Sequence, residues 1–136
     1  MIEIQPSVKN NMIMDAEKTF PDECCGFIIG DGVKQEINLA IPVHNAKEGD
    51  KRRRFEISPG DYLKAEQLAD EKGLVLLGVY HSHPNHPSIP SEMDRLAAQP
   101  NFSYIILSVM NGSFASMQSW KLNEQSQFEE EIIFSH

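Results

Sequence analysis

The apolar positions of this 136-residue chain change period from segment to segment. Residues 2–5 alternate apolar and polar, as a half-buried strand does. Val8, Met12, Ala16 and Phe20 recur at helical spacing, with Ser7 as an N-cap and Pro21 as a stop. Residues 25–30 are a short apolar run bounded by turn residues, which predicts a strand. Asp31-Gly32 predicts a hairpin turn into a second strand over 34–43. Residues 45–54 are polar, hold Gly49 and the run Lys51-Arg52-Arg53-Arg54, and read as a loop; 55–57 read as a short strand. Ser58-Pro59-Gly60-Asp61 starts a helix: a capping Ser, a Pro at the first helical position and an acid three residues after the cap. Tyr62, Ala65, Leu68 and Ala69 share its apolar face, and Gly73 sits where a helix end takes a left-handed residue.

Residues 74–80 are nearly all apolar. Such a strand belongs at the centre of a sheet covered by helices on both faces. His81-Ser82-His83 follows at its end. Pro84, Pro87 and Pro90 predict an irregular loop, and 91–98 a short helix. Residues 104–110 and 114–122 pair across Asn111-Gly112, and 128–134 form a last strand or a frayed segment. No repeat or low-complexity block interrupts the chain. The expectation is an α/β (α+β) fold: one layered domain over 1–136, with a mixed central β-sheet flanked by helices.

Composition narrows the function classes. With 40% hydrophobic residues the chain can bury one core. Twelve basic residues face 20 acidic ones, a net charge of -8, which argues against nucleic acid or an anionic membrane as partner. The two cysteines, Cys24 and Cys25, are adjacent, so they make no disulfide framework and favour a reducing compartment. In a strand their side chains point to opposite faces, and both read as buried small hydrophobes. With no secretory signal and no apolar run long enough for a bilayer, a cytoplasmic protein is expected. The basic run at 51–54 reads as a solvated loop, with steering of an acidic tail as its functional alternative.

Chemistry concentrates between His81 and Asp94. Two residues apart on a strand, His81 and His83 turn both imidazoles to one face. The proline-rich loop lets the chain turn back, so Asp94 can bring a carboxylate to the same point. Two His and one Asp are three ligands. Zinc prefers four, and the open position for water marks a catalytic rather than a structural site. Iron or manganese would accept the same ligands. Asp94 also completes a Ser-x-x-Asp cap with Ser91, and a carboxylate committed to the cap would be lost to the metal. His86 reads as solvent-facing or supporting a ligand. Ser82, between the ligands, faces the other side of the strand and reads as packing.

The run His81-Ser82-His83-Pro84, six residues, Ser91, two residues and Asp94 resembles the zinc motif of the JAMM (MPN-plus) metallopeptidases. That family carries an upstream glutamate, which Glu23 matches in Pro21-Asp22-Glu23-Cys24-Cys25-Gly26. The stretch from Arg54-Phe55-Glu56-Ile57 through Gly78-Val79-Tyr80 also resembles the short bacterial members, the Mov34/MPN/PAD-1 proteins. The likeness runs from about Glu23 to the 104–122 hairpin, and no motif position departs from the pattern. It implies a JAB/MPN-like fold with one Zn2+ per chain on His81, His83 and Asp94. It implies that Glu23 takes a proton from water and delivers it to the leaving amine, and that Ser91 donates its hydroxyl to the oxyanion. The implied reaction is hydrolysis of an amide or isopeptide bond at the glycine-rich C-terminal tail of a ubiquitin-like or sulfur-carrier protein, with release of cysteine in one version. The chain is too short for the insertions that hold ubiquitin chains, which favours a carrier protein or small conjugate. Two readings stand beside it: a non-catalytic MPN-type protein-binding scaffold, and a module in which zinc is structural. A zinc nucleobase deaminase would need a Pro-Cys-x-x-Cys pair that this chain lacks.

Overall fold

Eight strands and three helices form in a computed structural model that describes residues 1–135. His136, the last residue of the expected 1–136 domain, lies outside the described residues. In chain order the elements are β1 (Ile2–Ile4), α1 (Pro6–Thr19), β2 (Cys25–Asp31), β3 (Glu36–Val43), α2 (Pro59–Glu71), β4 (Val75–Pro84), α3 (Glu92–Ala97), β5 (Ser103–Met110), β6 (Ser113–Leu122), β7 (Phe128–Glu131) and β8 (Ile133–Ser135). All eight strands join one sheet in the order β7-β6-β5-β4-β2-β3-β1-β8. β4 runs antiparallel to β2 and parallel to β5, so the sheet is mixed and the apolar strand sits inside it, as expected.

Helices cover both faces because side chains alternate along each strand. On one face Val8, Met12 and Ala16 of α1 pack with Cys24, Ile28, Tyr80, Ile105 and Leu107. On the other, Ala65 of α2 packs with Phe27, Val79 and Tyr104. Val79, His81 and His83 alternate with Tyr80 and Ser82, which places both imidazoles on the α2 face at the carboxyl end of β4. No helix among the described residues is long and apolar enough to cross a membrane.

Several boundaries differ from the sequence expectation. Gln5, not Ser7, precedes α1, and Pro6 takes a first-turn position where its missing N–H is not needed. Ser58 caps α2 as expected, its hydroxyl accepting from the Asp61 N–H at 3.2 Å. Residues 55–57 form no strand. Phe55 and Ile57 pack against the α2-side core, and the Glu56 N–H goes to the Asn45 side chain. β4 extends through both histidines to Pro84. The C-terminal segment is two strands, not one. Phe128 to Glu131 pairs with β6, then Ile133 to Ser135 pairs in parallel with β1, at the opposite edge of the sheet. Only Ile132 separates them, so the sheet curls until its two edges meet there; the Ile2 N–H donates to the Ile132 carbonyl at 2.9 Å.

Candidate metal centre

The end of β4 and the first turn of α3 bring three expected residues together. His81 Nε2 lies 3.1 Å from His83 Nε2 and 3.3 Å from Asp94 Oδ1, and His83 Nε2 lies 3.1 Å from Asp94 Oδ2. Ligands about 2.0–2.2 Å from a tetrahedral zinc stand roughly 3.3 Å apart, so the two imidazoles and the carboxylate stand at the spacing of ligands in such a centre. His83 donates its Nδ1 proton to the Pro87 carbonyl at 2.9 Å, which leaves Nε2 to face the other two ligands. Two nitrogens and a carboxylate at this distance call for a cation between them, either protons or a metal. An imidazole and carboxylate set is one that zinc accepts.

Packing and hydrogen bonds fix the position of these candidate ligands. His81 is buried, and its ring stacks on Phe55 with centroids 4.4 Å apart. Burial holds its pKa below the ordinary histidine value. Burial also opposes protonation of His83, but Asp94 and the Pro87 carbonyl outweigh it and raise its pKa. Burial would raise Asp94 too; the hydrogen bonds with His81 and His83 win and hold its carboxyl below the carboxylate range.

Comparison with known proteins supplies the family. The family described as prokaryotic homologs of the JAB domain matches residues 5–123. The chain belongs to this family. The CysO-cysteine peptidase of Mycobacterium tuberculosis is 26% identical over 130 residues, covering 95% of this chain and 88% of the relative. The desampylase of Haloferax volcanii is 33% identical over 89 residues, 65% of this chain and 63% of the relative. A Desulfitobacterium hafniense protein solved in solution matches with a TM-score of 0.86 at 27% identity, covering all of this chain and 93% of that one. The JAB1/MPN domain protein AF2198 of Archaeoglobus fulgidus matches the whole chain and 97% of its own length at a TM-score of 0.65; its 18% identity speaks for the fold alone.

In this JAB chain Asp94 does what the sequence reading treated as exclusive. Its Oδ2 accepts the Ser91 N–H at 2.9 Å, and the Ser91 hydroxyl accepts the Asp94 N–H at 3.1 Å, a full capping box. Both carboxylate oxygens still face the imidazoles, because a carboxylate offers about four lone-pair directions. Capping and metal binding are therefore compatible. The cap also leaves the Ser91 hydroxyl proton uncommitted.

Glu23 is 4% exposed and borders the same cleft as His83 and Ser91. Burial pushes its pKa up to about 8; nearby His83 lowers it, and Asp94 and Asp50 add to the rise. Its placement depends on Ser82, whose role is more than packing. The Ser82 hydroxyl accepts the Cys24 N–H at 2.8 Å, and the Ser82 N–H donates to the Cys24 carbonyl at 3.2 Å. The residue between the two histidines thus clamps the residue after Glu23. Cys24 and Cys25 are both buried and free, as expected, and His86 is exposed. The parts that Asn45, Phe55 and Pro87 play at the site could not be read from the sequence. Each acts through a contact across a loop, for which no local pattern exists.

Proposed function

We propose that this JAB protein is a zinc-dependent peptidase acting on the C-terminal tail of a ubiquitin-like or sulfur-carrier protein. The observation that carries the proposal is the ligand triangle of 3.1–3.3 Å beside a buried carboxyl group. The names of its relatives, a CysO-cysteine peptidase and a desampylase, support the substrate class. His81, His83 and Asp94 would hold one Zn2+, which when bound acidifies water and polarises a carbonyl. Glu23 accepts the proton of the attacking water and passes it to the leaving amine. A pKa raised by burial suits a group that must both take and give a proton near neutrality. Ser91 keeps its hydroxyl proton for the developing oxyanion, a contribution of about 3 kcal/mol in comparable sites. Water's oxygen ends on the acyl carbon, the C–N bond breaks, and the leaving amine departs with the transferred proton. A glycine-rich tail would present its scissile carbonyl without side chains to crowd it. The two free, buried cysteines suit the cytoplasm.

The test pairs metal content with turnover. Tag-free wild type and Glu23→Gln should each carry close to one zinc per chain, and only wild type should cleave a carrier-tail conjugate. Protein that takes up no zinc after dialysis against it would overturn the reading in favour of a scaffold.

A further inference from the structure

The motif leaves the basic run unused, yet the structure does not leave it loose. The Glu23 N–H donates to the Lys51 carbonyl at 2.7 Å. The buried Asn45 side chain donates to both the Glu23 carbonyl, at 3.2 Å, and the Arg54 carbonyl, at 3.1 Å. Both ends of the 51–54 segment are thus tied to the backbone of Glu23. Arg52 and Arg53 form the apex and border the cleft shared by Glu23, His83 and Ser91. Arg53 reaches only a weak, exposed pair with Asp50 at 3.9 Å. The Arg52 guanidinium has no ion pair among the described residues, although the chain has 20 acidic side chains. Three of the chain's four arginines stand in this one segment.

The scissile carbonyl carbon has three substituents, and the residues order them. Its oxygen turns to Ser91 and its nitrogen to Glu23, and both residues border the arginine cleft. The leaving residue therefore enters that cleft. The acyl chain points the other way, into a cavity of about 400 Å³ beside His81 and Asp94, walled by Phe55, Tyr62, Met93 and Tyr104 and also by Lys47, Arg53 and Arg54, so that Arg53 stands between the two spaces and Arg52 borders the leaving-group cleft only. Resting on the proposed peptidase reading, we infer that Arg52 and Arg53 bind the free α-carboxylate of a single C-terminal residue, which makes the enzyme an exopeptidase. An α-carboxylate lies two bonds from the leaving nitrogen, on the side of the site that Arg52 and Arg53 border. A lysine linked through its side chain offers no carboxylate there. Paired guanidinium–carboxylate hydrogen bonds are strong and directional, and Lys would not replace them in kind.

The test compares three tail peptides that share one glycine-ended acyl part. One ends in alanine with a free carboxylate, one in alanine amide, and one in lysine joined through its ε-amino group. Dissociation constants are measured on zinc-loaded Glu23→Gln protein, which cannot turn the peptides over, and rates on wild type. The free acid should bind at least tenfold more tightly than the amide. Arg52→Ala/Arg53→Ala should erase that difference while keeping its zinc and its melting temperature. In the turnover assay the same double variant should raise KM for the acid with kcat little changed. Equal binding of acid and amide would overturn the inference. So would a preference that survives the double variant, since the metal alone would then be holding the carboxylate. Peptides that bind with the expected preference but are never cleaved by wild type would sink the peptidase reading and leave the carboxylate site standing.

Discussion

Replacing Ser82 by alanine removes one oxygen from the middle of the His81–His83 pair without touching a ligand. Ser82 is fully buried, and its hydroxyl is the acceptor for the Cys24 N–H at 2.8 Å. The substitution leaves that donor without a partner in a dry strand pair, at a cost of about 1–3 kcal/mol. For a domain of this size each kcal/mol is about 4 °C of melting temperature, so a fall of roughly 4–12 °C is expected. The ligands should be spared. His81 and Ser82 stay paired with Ile106 and Leu107 of β5, and His83 keeps Pro87. Glu23 should lose its fixed height relative to them, because Cys24 is its link to β4. Turnover should therefore drop at least tenfold while zinc stays near one per chain. Thermal melts, elemental analysis and a tail-cleavage assay on one preparation read all three. Wild-type melting and wild-type turnover together would refute this reasoning. Zinc loss would move the role of Ser82 from Glu23 to the ligand strand.

Glu23 predicts a pH dependence in protein stripped of metal. Its native pKa, about 8, lies above its ordinary value of 4.5, so native protein binds more protons than unfolded between these limits. Stability should therefore fall as pH rises from about 5 to 8, by up to about 1.4 kcal/mol per unit from this group. Urea titrations should show a flatter profile for Glu23→Gln, and parallel profiles would contradict the assignment. Zinc at a hundredfold over its dissociation constant should stabilise wild type by about 2.7 kcal/mol, close to 10 °C. Asp94→Asn, which keeps a cap acceptor but weakens the ligand set, should lose most of that shift; a full shift would remove Asp94 from the site. Gly26 has no room for a Cβ, which would meet the Tyr80 ring and the Ile41 carbonyl oxygen. Gly26→Ala should cost at least about 2 kcal/mol in urea unfolding, since Tyr80 is buried and held by Asp15 at 2.7 Å. An unchanged midpoint would show that the ring can move.

What could be read without a structure was whatever a local pattern encodes. The apolar run at 74–80 declared an interior strand, Ser58 its helix start, and Asn111-Gly112 its hairpin. The spacing of His81, His83 and Asp94 pointed to one site because a strand and a helix cap both have fixed periods. Contacts between distant backbone groups left no such trace. The bond between Cys24 and Ser82 spans 58 residues, and a serine between two histidines looks the same whether it packs or clamps. The arginine run looked solvated because charge runs usually are; its anchor, Asn45, resembles any loop asparagine. The expected strand at 55–57 failed for a related reason. Phe55 and Ile57 alternate like a strand, but they bury against α2 and His81 while the backbone bonds to a side chain.

The meeting of the sheet's edges at Ile132 bears on self-association. A single stretch of chain covers the outer edge of β6 with Phe128–Glu131 and that of β1 with Ile133–Ser135. A chain cut after Asn123 would bare two rows of backbone donors and acceptors in one step, each a template for another molecule. Light scattering of the shortened chain should report self-association, and a nick in the turn at 123–127 would be more damaging than its exposed position suggests.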